Sequence, residues 1–460
     1  MVAGVDSSTQ SVKVVVRDLE SGQLLRESKV AHPDGTECDP QDWFIALNKA
    51  ISEVNNLEGV SAISIGGQQH GAVVLDGAGV PIRKALLWND TRSAREASDL
   101  NEEFGGAQAT ANAVGSLLVA SFTATKLRWI ADNESENASR IEAVCLPHDY
   151  LSWKLSGSSK IEDLFTDRSD ASGTGYFDST SNEYRRDFLK IALRGKDALL
   201  PKVLKPNEFG GEFGGIRIAP GAGDNASAAL GVNAKPGDVV VSLGTSGTAF
   251  AVSETSTHDP SGEVAGFADA SGKFLPLVCT LNAARILDAA CKMLNVNHHE
   301  LANLALSAKA GAEGLTLLPY FEGERTPNRP NARGTLNGLT LKNSDPANIA
   351  RAYIEGMLCG LADAVHSLEK LNVAVNRILL VGGAAKNPAV GIIASSIFGR
   401  EVLVPPPGEY VADGAARQAA WTLTGEFPDW NIGETKNFTT ASTPEVFDRY
   451  KELVKKTVNF

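Results

Sequence analysis

Val239-Val240-Val241-Ser242-Leu243-Gly244-Thr245-Ser246-Gly247-Thr248-Ala249-Phe250 is the run that decides the fold. β-Branched residues lead into it, a small polar turn interrupts it, and an apolar stretch follows, so it reads as strand, tight turn, strand. The N-terminus has the same design. Val2 and Val5 lie before a polar turn, Ser7 to Ser11, and Val12, Val14, Val15 and Val16 lie after it. With Ser8-Thr9-Gln10-Ser11 laid on Gly244-Thr245-Ser246-Gly247, only Thr9 and Thr245 coincide. Any two hairpins share that much. The common pattern nevertheless predicts two domains of one topology, each opening with a hairpin.

The flanking sequence supports alternating strands and helices. Asp39-Pro40 is a helix start, with a helical pattern to about Val54. Ala62 to Ile65 is a buried strand that runs into Gly66-Gly67, and Ala72 to Leu75 is a second apolar run. Helical patterns dominate from Thr91 to Ser156, and a looser stretch reaches Phe213. Gly221 leads into an Ala-rich helix, Ala226 to Leu230. Lys235-Pro236-Gly237-Asp238 is a connector, which divides the chain into residues 1–234 and 235–460. Arg377 to Val381 is another buried strand, ending at Gly382-Gly383. Asn387-Pro388 is a helix start, and an Ala-rich helix runs from Asp413 to Leu423. The fold class is α/β, with sheets covered on both faces.

The 460 residues are too many for one ordinary core. An apolar fraction of 43% with 21% charged residues excludes disordered and fibrous classes. The net charge of −12 repels phosphate backbones, so nucleic acid is excluded as an expected partner. Five scattered cysteines, without a CxxC pair, fit reduced thiols rather than a disulfide framework or zinc site. Met1 to Gln10 lack a basic segment followed by a long apolar core, and no apolar run could span a bilayer. No secretory signal and no membrane partner are expected, and the cytoplasm is the expected location. No residue pattern shows the oligomeric state; a homodimer is the assembly entertained.

Phosphate groups need several N–H donors at close range, which small residues at a turn can supply. Ser7 to Ser11 and Gly244 to Gly247 are two such turns, although each alone also fits a plain hairpin. Neither the GxxxxGK[ST] loop nor the GxGxxG kinase loop is present. Asp6 ends the first strand beside the first turn. It is either an Asx cap or a carboxylate set to hold Mg²⁺, directly or through water. Asp224, between Gly223 and Asn225 at a helix start, is either an N-cap or a general base kept ionised by the helix dipole. Gln68-Gln69-His70-Gly71 and Trp88-Asn89-Asp90, with Arg92, offer amides, imidazole, carboxylate and indole to sugar hydroxyls and a sugar face. His70 alone fits a satisfied core histidine equally well. Glu322-Gly323-Glu324-Arg325-Thr326-Pro327 reads as a solvated turn with a surface ion pair.

These residues together resemble the FGGY family of carbohydrate kinases over nearly the whole chain. Ser121-Phe122-Thr123-Ala124-Thr125-Lys126-Leu127-Arg128-Trp129-Ile130 is similar to one of the family's two signature patterns, and Gly334 to Glu355 nearly fits the other, departing at Tyr353. Gly4-Val5-Asp6 with Thr9 and Lys13 resembles the first phosphate hairpin, and Leu243 to Gly247 the second. Gly67 to Gly71 and Leu87 to Asp90 resemble the sugar segments, as Gly323 to Pro327 resembles a further family run. Gly223-Asp224-Asn225-Ala226 resembles the catalytic segment, and Gly382-Gly383 with Asn387 the adenosine segment.

The resemblance implies two actin-like, ribonuclease H-like ATPase domains of the hexokinase/actin superfamily with a central cleft. The first domain would bind sugar and the second nucleotide. It implies transfer of the ATP γ-phosphate, with Mg²⁺, to the C5 hydroxyl of D-xylulose. Asp224 would accept the proton and Asp6 would act near the metal. Gln69, His70, Trp88, Asn89, Asp90 and Asn225 would contact the sugar. Ser8, Thr9, Gln10, Lys13, Gly244, Thr245, Ser246, Gly382, Gly383 and Asn387 would contact ATP. Ser8 stands where the family usually has glycine, Gln10 and Ser11 replace a smaller pair, and Gln69 stands where methionine is common. Other readings are a kinase of L-ribulose, D-gluconate or glycerol, and a non-catalytic actin-like nucleotide clamp.

Overall fold

The computed structural model describes residues 1–431 and 433–457, and the chain forms two compact units. The first comprises Met1–Asn233, Glu254–Leu275 and Gly408–Asn431; the second comprises Ala234–Ser253, Pro276–Pro407 and Ile432–Phe460. The sequence places one boundary after residue 234. In the structure two later segments, 254–275 and 408–431, return to the first unit.

In the first unit, Val2–Ser7 and Ser11–Arg17 form the expected antiparallel hairpin, and Leu24–Ala31 extends it. On the other side of Val2–Ser7, Ala62–Gly67 runs parallel, with Asp6 opposite Gly66 and Ser7 opposite Gly67. Ala222–Gly223 then pairs in parallel with Gly66 and Gly67. All six residues of Val2–Ser7 are buried, as expected of a central strand covered on both faces. One cover is the helix Pro40–Glu53, whose Asp39 cap accepts the Gln41 N–H and whose Trp43, Leu47 and Ala50 join the core with Val5, Val14 and Ile63. The other is the helix Tyr410–Thr424, which lays Ala412, Ala416 and Ala419 on Val2, Val15 and Ala62.

That Ala-rich helix packs against a second one, Asp224–Gly231, at backbone distance. A Cβ on Gly414 would stand 1.7 Å from the carbonyl oxygen of Ser227. Only glycine permits this approach, and it seats the helix that begins with Asp224.

The second unit repeats the order. Asp238–Leu243 and Gly247–Ala251 form a hairpin, Leu277 to Thr280 pair antiparallel to its second strand, and Arg377–Val381 runs parallel to its first. Thus Gly244-Thr245-Ser246 occupies the place that Ser8-Thr9-Gln10 holds in the first unit. The 25-residue helix Pro346–Lys370, with Asp345 accepting the Ala347 and Asn348 N–H groups, supplies much of this unit's core. Among the described residues no helix is long and apolar enough to cross a membrane, and all five cysteines are free.

Candidate active site

In open α/β sheets, ligands gather beyond the carboxyl ends of parallel strands. In the first unit, three neighbouring strand ends deliver Asp6, Gly66-Gly67 and Gly223, and the chain continues directly into Gln68-Gln69 and Asp224.

Asp6 is buried, 4% exposed. The Ser8 hydroxyl donates to one carboxylate oxygen and Lys13 Nζ lies 3.5 Å from the other. Lys13 also pairs with Glu409. Burial pushes the Asp6 carboxyl up. The Ser8 hydrogen bond and the Lys13 charge oppose that shift without cancelling it.

Asp224 is the first residue of its helix, and Gly223 occupies the cap position. The capping reading therefore does not describe it. Its carboxylate accepts from the Asn225 N–H at 2.7 Å and from the Asn225 side-chain amide at 2.9 Å. The expectation of a carboxyl held firmly ionised is also corrected. Burial pushes Asp224 up to about 7; hydrogen bonds from Asn225 oppose the shift, and the charge of Asp6 adds to it. Desolvation outweighs the hydrogen bonds that favour the charged form. The result is a carboxyl poised between protonation states near neutral pH.

The sugar-segment residues are distributed around this pair. Gln69 is 7% exposed; its amide nitrogen donates to the Ser169 carbonyl at 3.2 Å, and its side chain lies where a Cβ on Gly223 would be. His70, with φ of +70°, turns Nδ1 to the Gly173 carbonyl at 2.6 Å and lies within 4.8 Å of the Phe122 ring and 5.6 Å of Phe267. Trp88 is an exposed indole whose Nε1 donates to Thr9 Oγ1 at 2.8 Å, so it joins the first turn. Asn89 donates to the Gly35 carbonyl at 3.4 Å. Asp90 is buried and engaged by Arg92 at 2.8 Å through both oxygens and by Thr36 at 2.8 Å. Burial alone would raise its pKa, but these bonds hold it below the usual value. Gln10 is exposed at the tip of the turn.

In the second unit, the parallel pairing of Ser242 with Val381 brings the end of Arg377–Val381 beside the Gly244 turn. Gly382 has φ of +96°, and a Cβ there would lie 2.6 Å from the Leu243 carbonyl oxygen. Thr245 and Ser246 are exposed, as are Gly382 and Gly383. Asn387 caps the helix Pro388–Phe398, accepting the Ala389 N–H at 3.0 Å and donating to the His298 carbonyl at 3.2 Å. The solvated-turn reading of Glu322 to Pro327 holds for Glu322, which pairs with Arg285 at the surface. It fails for Glu324, which is 3% exposed and accepts from the Leu281 N–H and the Asn282 amide.

The chain matches the FGGY family of carbohydrate kinases through its N-terminal domain at residues 1–231 and its C-terminal domain at 239–423. It belongs to that family. As an FGGY kinase it is 42% identical to the xylulose kinase of Streptomyces coelicolor, covering 93% of this chain and 89% of that one. It is 41% identical to the xylulose kinase of Streptomyces rubiginosus, covering 99% and 94%. The crystal structure of xylulose kinase from Bifidobacterium adolescentis superposes with a TM-score of 0.93 at 47% identity, over 98% of this chain and 99% of that one.

Two residues of this FGGY site escaped the sequence reading. Ser169, whose hydroxyl accepts the Gly223 N–H at 3.1 Å, and Gln418, bonded to Gly221, hold the segment before Asp224. The small polar run Ser169 to Gly173 was the available signal for the first. Gln418, inside an Ala-rich helix, had none.

Proposed function

We propose that this chain phosphorylates D-xylulose, transferring the γ-phosphoryl group of ATP to the C5 hydroxyl and giving D-xylulose 5-phosphate and ADP. The observation that carries the reading is identity above 40% over nearly the full length with two xylulose kinases.

In this reading Asp224 accepts the C5 hydroxyl proton as the new O–P bond forms and the β–γ bridging P–O bond breaks. A carboxyl near 7 suits that task, because a general base works best with a pKa close to the operating pH. Asn225 holds the carboxylate by two donors, which leaves its second oxygen for the substrate proton. Gln69, His70 and Asn225 bind the sugar, with Trp88 and Asn89 beside them, and Asp90 keeps that segment in shape through Arg92. Ser8, Thr9, Gln10 and Lys13 serve the phosphates from the first turn. Gly244, Thr245, Ser246, Gly382, Gly383 and Asn387 serve ATP from the second unit.

The donor set fits a magnesium ion. Asp6 is a hard oxygen ligand at a strand end, and burial and the Glu409 charge raise its pKa despite Lys13, so a bound cation would stabilise its charged form. Asp6 would hold the ion, which supplies charge neutralisation to the triphosphate.

The test is sugar-dependent ADP release measured across D-xylulose, L-ribulose, D-gluconate and glycerol. D-Xylulose is expected to give the highest kcat/KM. A higher value for another acceptor overturns the substrate assignment, and ADP release independent of any sugar overturns the kinase reading.

A further inference from the structure

The loop Pro220-Gly221-Ala222-Gly223 aims Asp224, and buried side chains hold it along its length. Gln418 grips both sides of Gly221: its Oε1 accepts the Gly221 N–H at 3.1 Å and its Nε2 donates to the Gly221 carbonyl at 2.8 Å. The same Oε1 accepts the Ser64 hydroxyl at 2.6 Å. Ser169 takes the Gly223 N–H. Beneath the loop lies the ring of His148, fully buried on the helix Pro147–Leu155. Gly221 has φ of +88°, and a Cβ there would meet His148 Cδ2 at 2.2 Å, so the ring touches the loop backbone.

Both ring nitrogens face oxygen. Nδ1 lies 2.5 Å from Asp170 Oδ2, and Nε2 lies 3.3 Å from the Pro220 carbonyl and 3.3 Å from Asp149 Oδ1. Burial raises Asp170 to about 6 and Asp149 to about 7. A carbonyl only accepts, and once Asp170 is ionised it only accepts too, so above that range both nitrogens donate. The ring is then an imidazolium. Burial alone would lower its pKa; the charges of Asp149 and Asp170 and the Asp170 hydrogen bond outweigh that and push it up to about 10. The titratable groups facing it are Asp149 on its own helix, Asp167 at the cap of Arg168–Ala171 and Asp170 within it; the Asp224 charge acts on Asp170.

His148, Asp149 and Asp170 also have metal-like spacing, and Asp149 Oδ1 and Asp170 Oδ1 have no hydrogen-bond partner. An imidazolium has no lone pair to give a metal. The ring itself is the cation that these carboxylates need.

We propose that His148 is a positioning residue: a buried imidazolium, held by Asp170 and Asp149, that fixes the Pro220–Gly223 loop and so sets where the Asp224 carboxylate sits. This rests on the reading of Asp224 as the base. His148→Gln keeps the size but removes the charge and one donor. It should lower kcat by about 10- to 100-fold, the effect of a small displacement of a catalytic group, while the KM for ATP stays within about twofold. His148→Lys restores a cation with donors for the same oxygens and should recover most of kcat. Equal loss of melting temperature in both variants with kcat unchanged would mean a merely structural residue and overturns the proposal.

A second measurement needs no variant. In wild-type protein with ¹⁵N-labelled histidine, both His148 ring nitrogens should remain protonated from pH 6 to 9. A neutral ring at pH 8, or about one equivalent of tightly bound transition metal in purified protein, overturns the proposal. The ring signal does not depend on whether Asp224 is the base. A wild-type rate in Asp224→Asn beside a cationic ring therefore sinks the base assignment and the positioning role together, and leaves the buried cation standing.

Discussion

Replacing Asp224 with asparagine separates chemistry from folding. The amide oxygen can still accept the Asn225 N–H and side-chain amide, now at 2.7 and 2.9 Å from the carboxylate, so the helix start should survive. What disappears is the carboxyl assigned to take the substrate proton. Loss of a general base costs about 10²- to 10⁴-fold in kcat. Stability should move the other way. The folded-state pKa of Asp224 is about 7 against an ordinary 3.8. A carboxyl raised on folding destabilises the native state increasingly as pH climbs from the unfolded value to the folded one, and the penalty is constant above that. At about 1.4 kcal/mol per pH unit, the penalty grows by up to about 3 kcal/mol between pH 5 and 7. Asp224→Asn should therefore melt at a higher temperature than wild type, by a margin that widens from pH 5 to 8. The assays are steady-state ADP release with D-xylulose and thermal melts at both pH values. Near wild-type turnover refutes the base. A melting difference that does not change with pH refutes the buried, raised carboxyl.

Other perturbations test the surrounding pieces. Asp6→Asn should cause a large loss of kcat that added Mg²⁺ partly offsets; the same deficit at every Mg²⁺ concentration would remove the metal role. In Gly382→Ala the new Cβ meets the Leu243 carbonyl at 2.6 Å in a left-handed backbone, a strain of about 1–3 kcal/mol. The KM for ATP should rise several-fold while that for D-xylulose holds, and equal changes in both would contradict the nucleotide assignment. Gly414→Ala drives a methyl to within 1.7 Å of the Ser227 carbonyl. It should lower the melting temperature by several degrees and reduce kcat, because the helix carrying Asp224 is displaced; an unchanged melt would refute the backbone contact.

The hairpins were legible because β-branched residues crowd a short polar turn, a local signal that survives without any partner. Their strands and three-residue turns lie where Ser8–Ser11 and Gly244–Gly247 predicted. The helix at Asp39-Pro40 was legible for the same reason, since cap and proline are adjacent in sequence. The return of residues 408–431 to the first unit was not, because an Ala-rich helix looks alike whichever sheet it covers. Asp224 was visible as a carboxyl at a helix start, but its proton affinity depends on burial and on Asp6, 218 residues away in sequence. The Gln418 grip on Gly221 joins positions separated by 197 residues, and nothing local to an Ala-rich helix marks it. Asp90 read as a sugar contact because its type and place allow it. Only the fold shows Arg92 and Thr36 already using both its oxygens.

The most direct measurement is the phosphorus balance of one reaction. Wild-type protein, ATP, Mg²⁺ and D-xylulose are followed by ³¹P NMR to the end of turnover. The account predicts ADP and a single new phosphomonoester coupled to the C5 protons, formed in equal amounts, with no inorganic phosphate. ADP matched by inorganic phosphate, or an ester on another carbon, would contradict it.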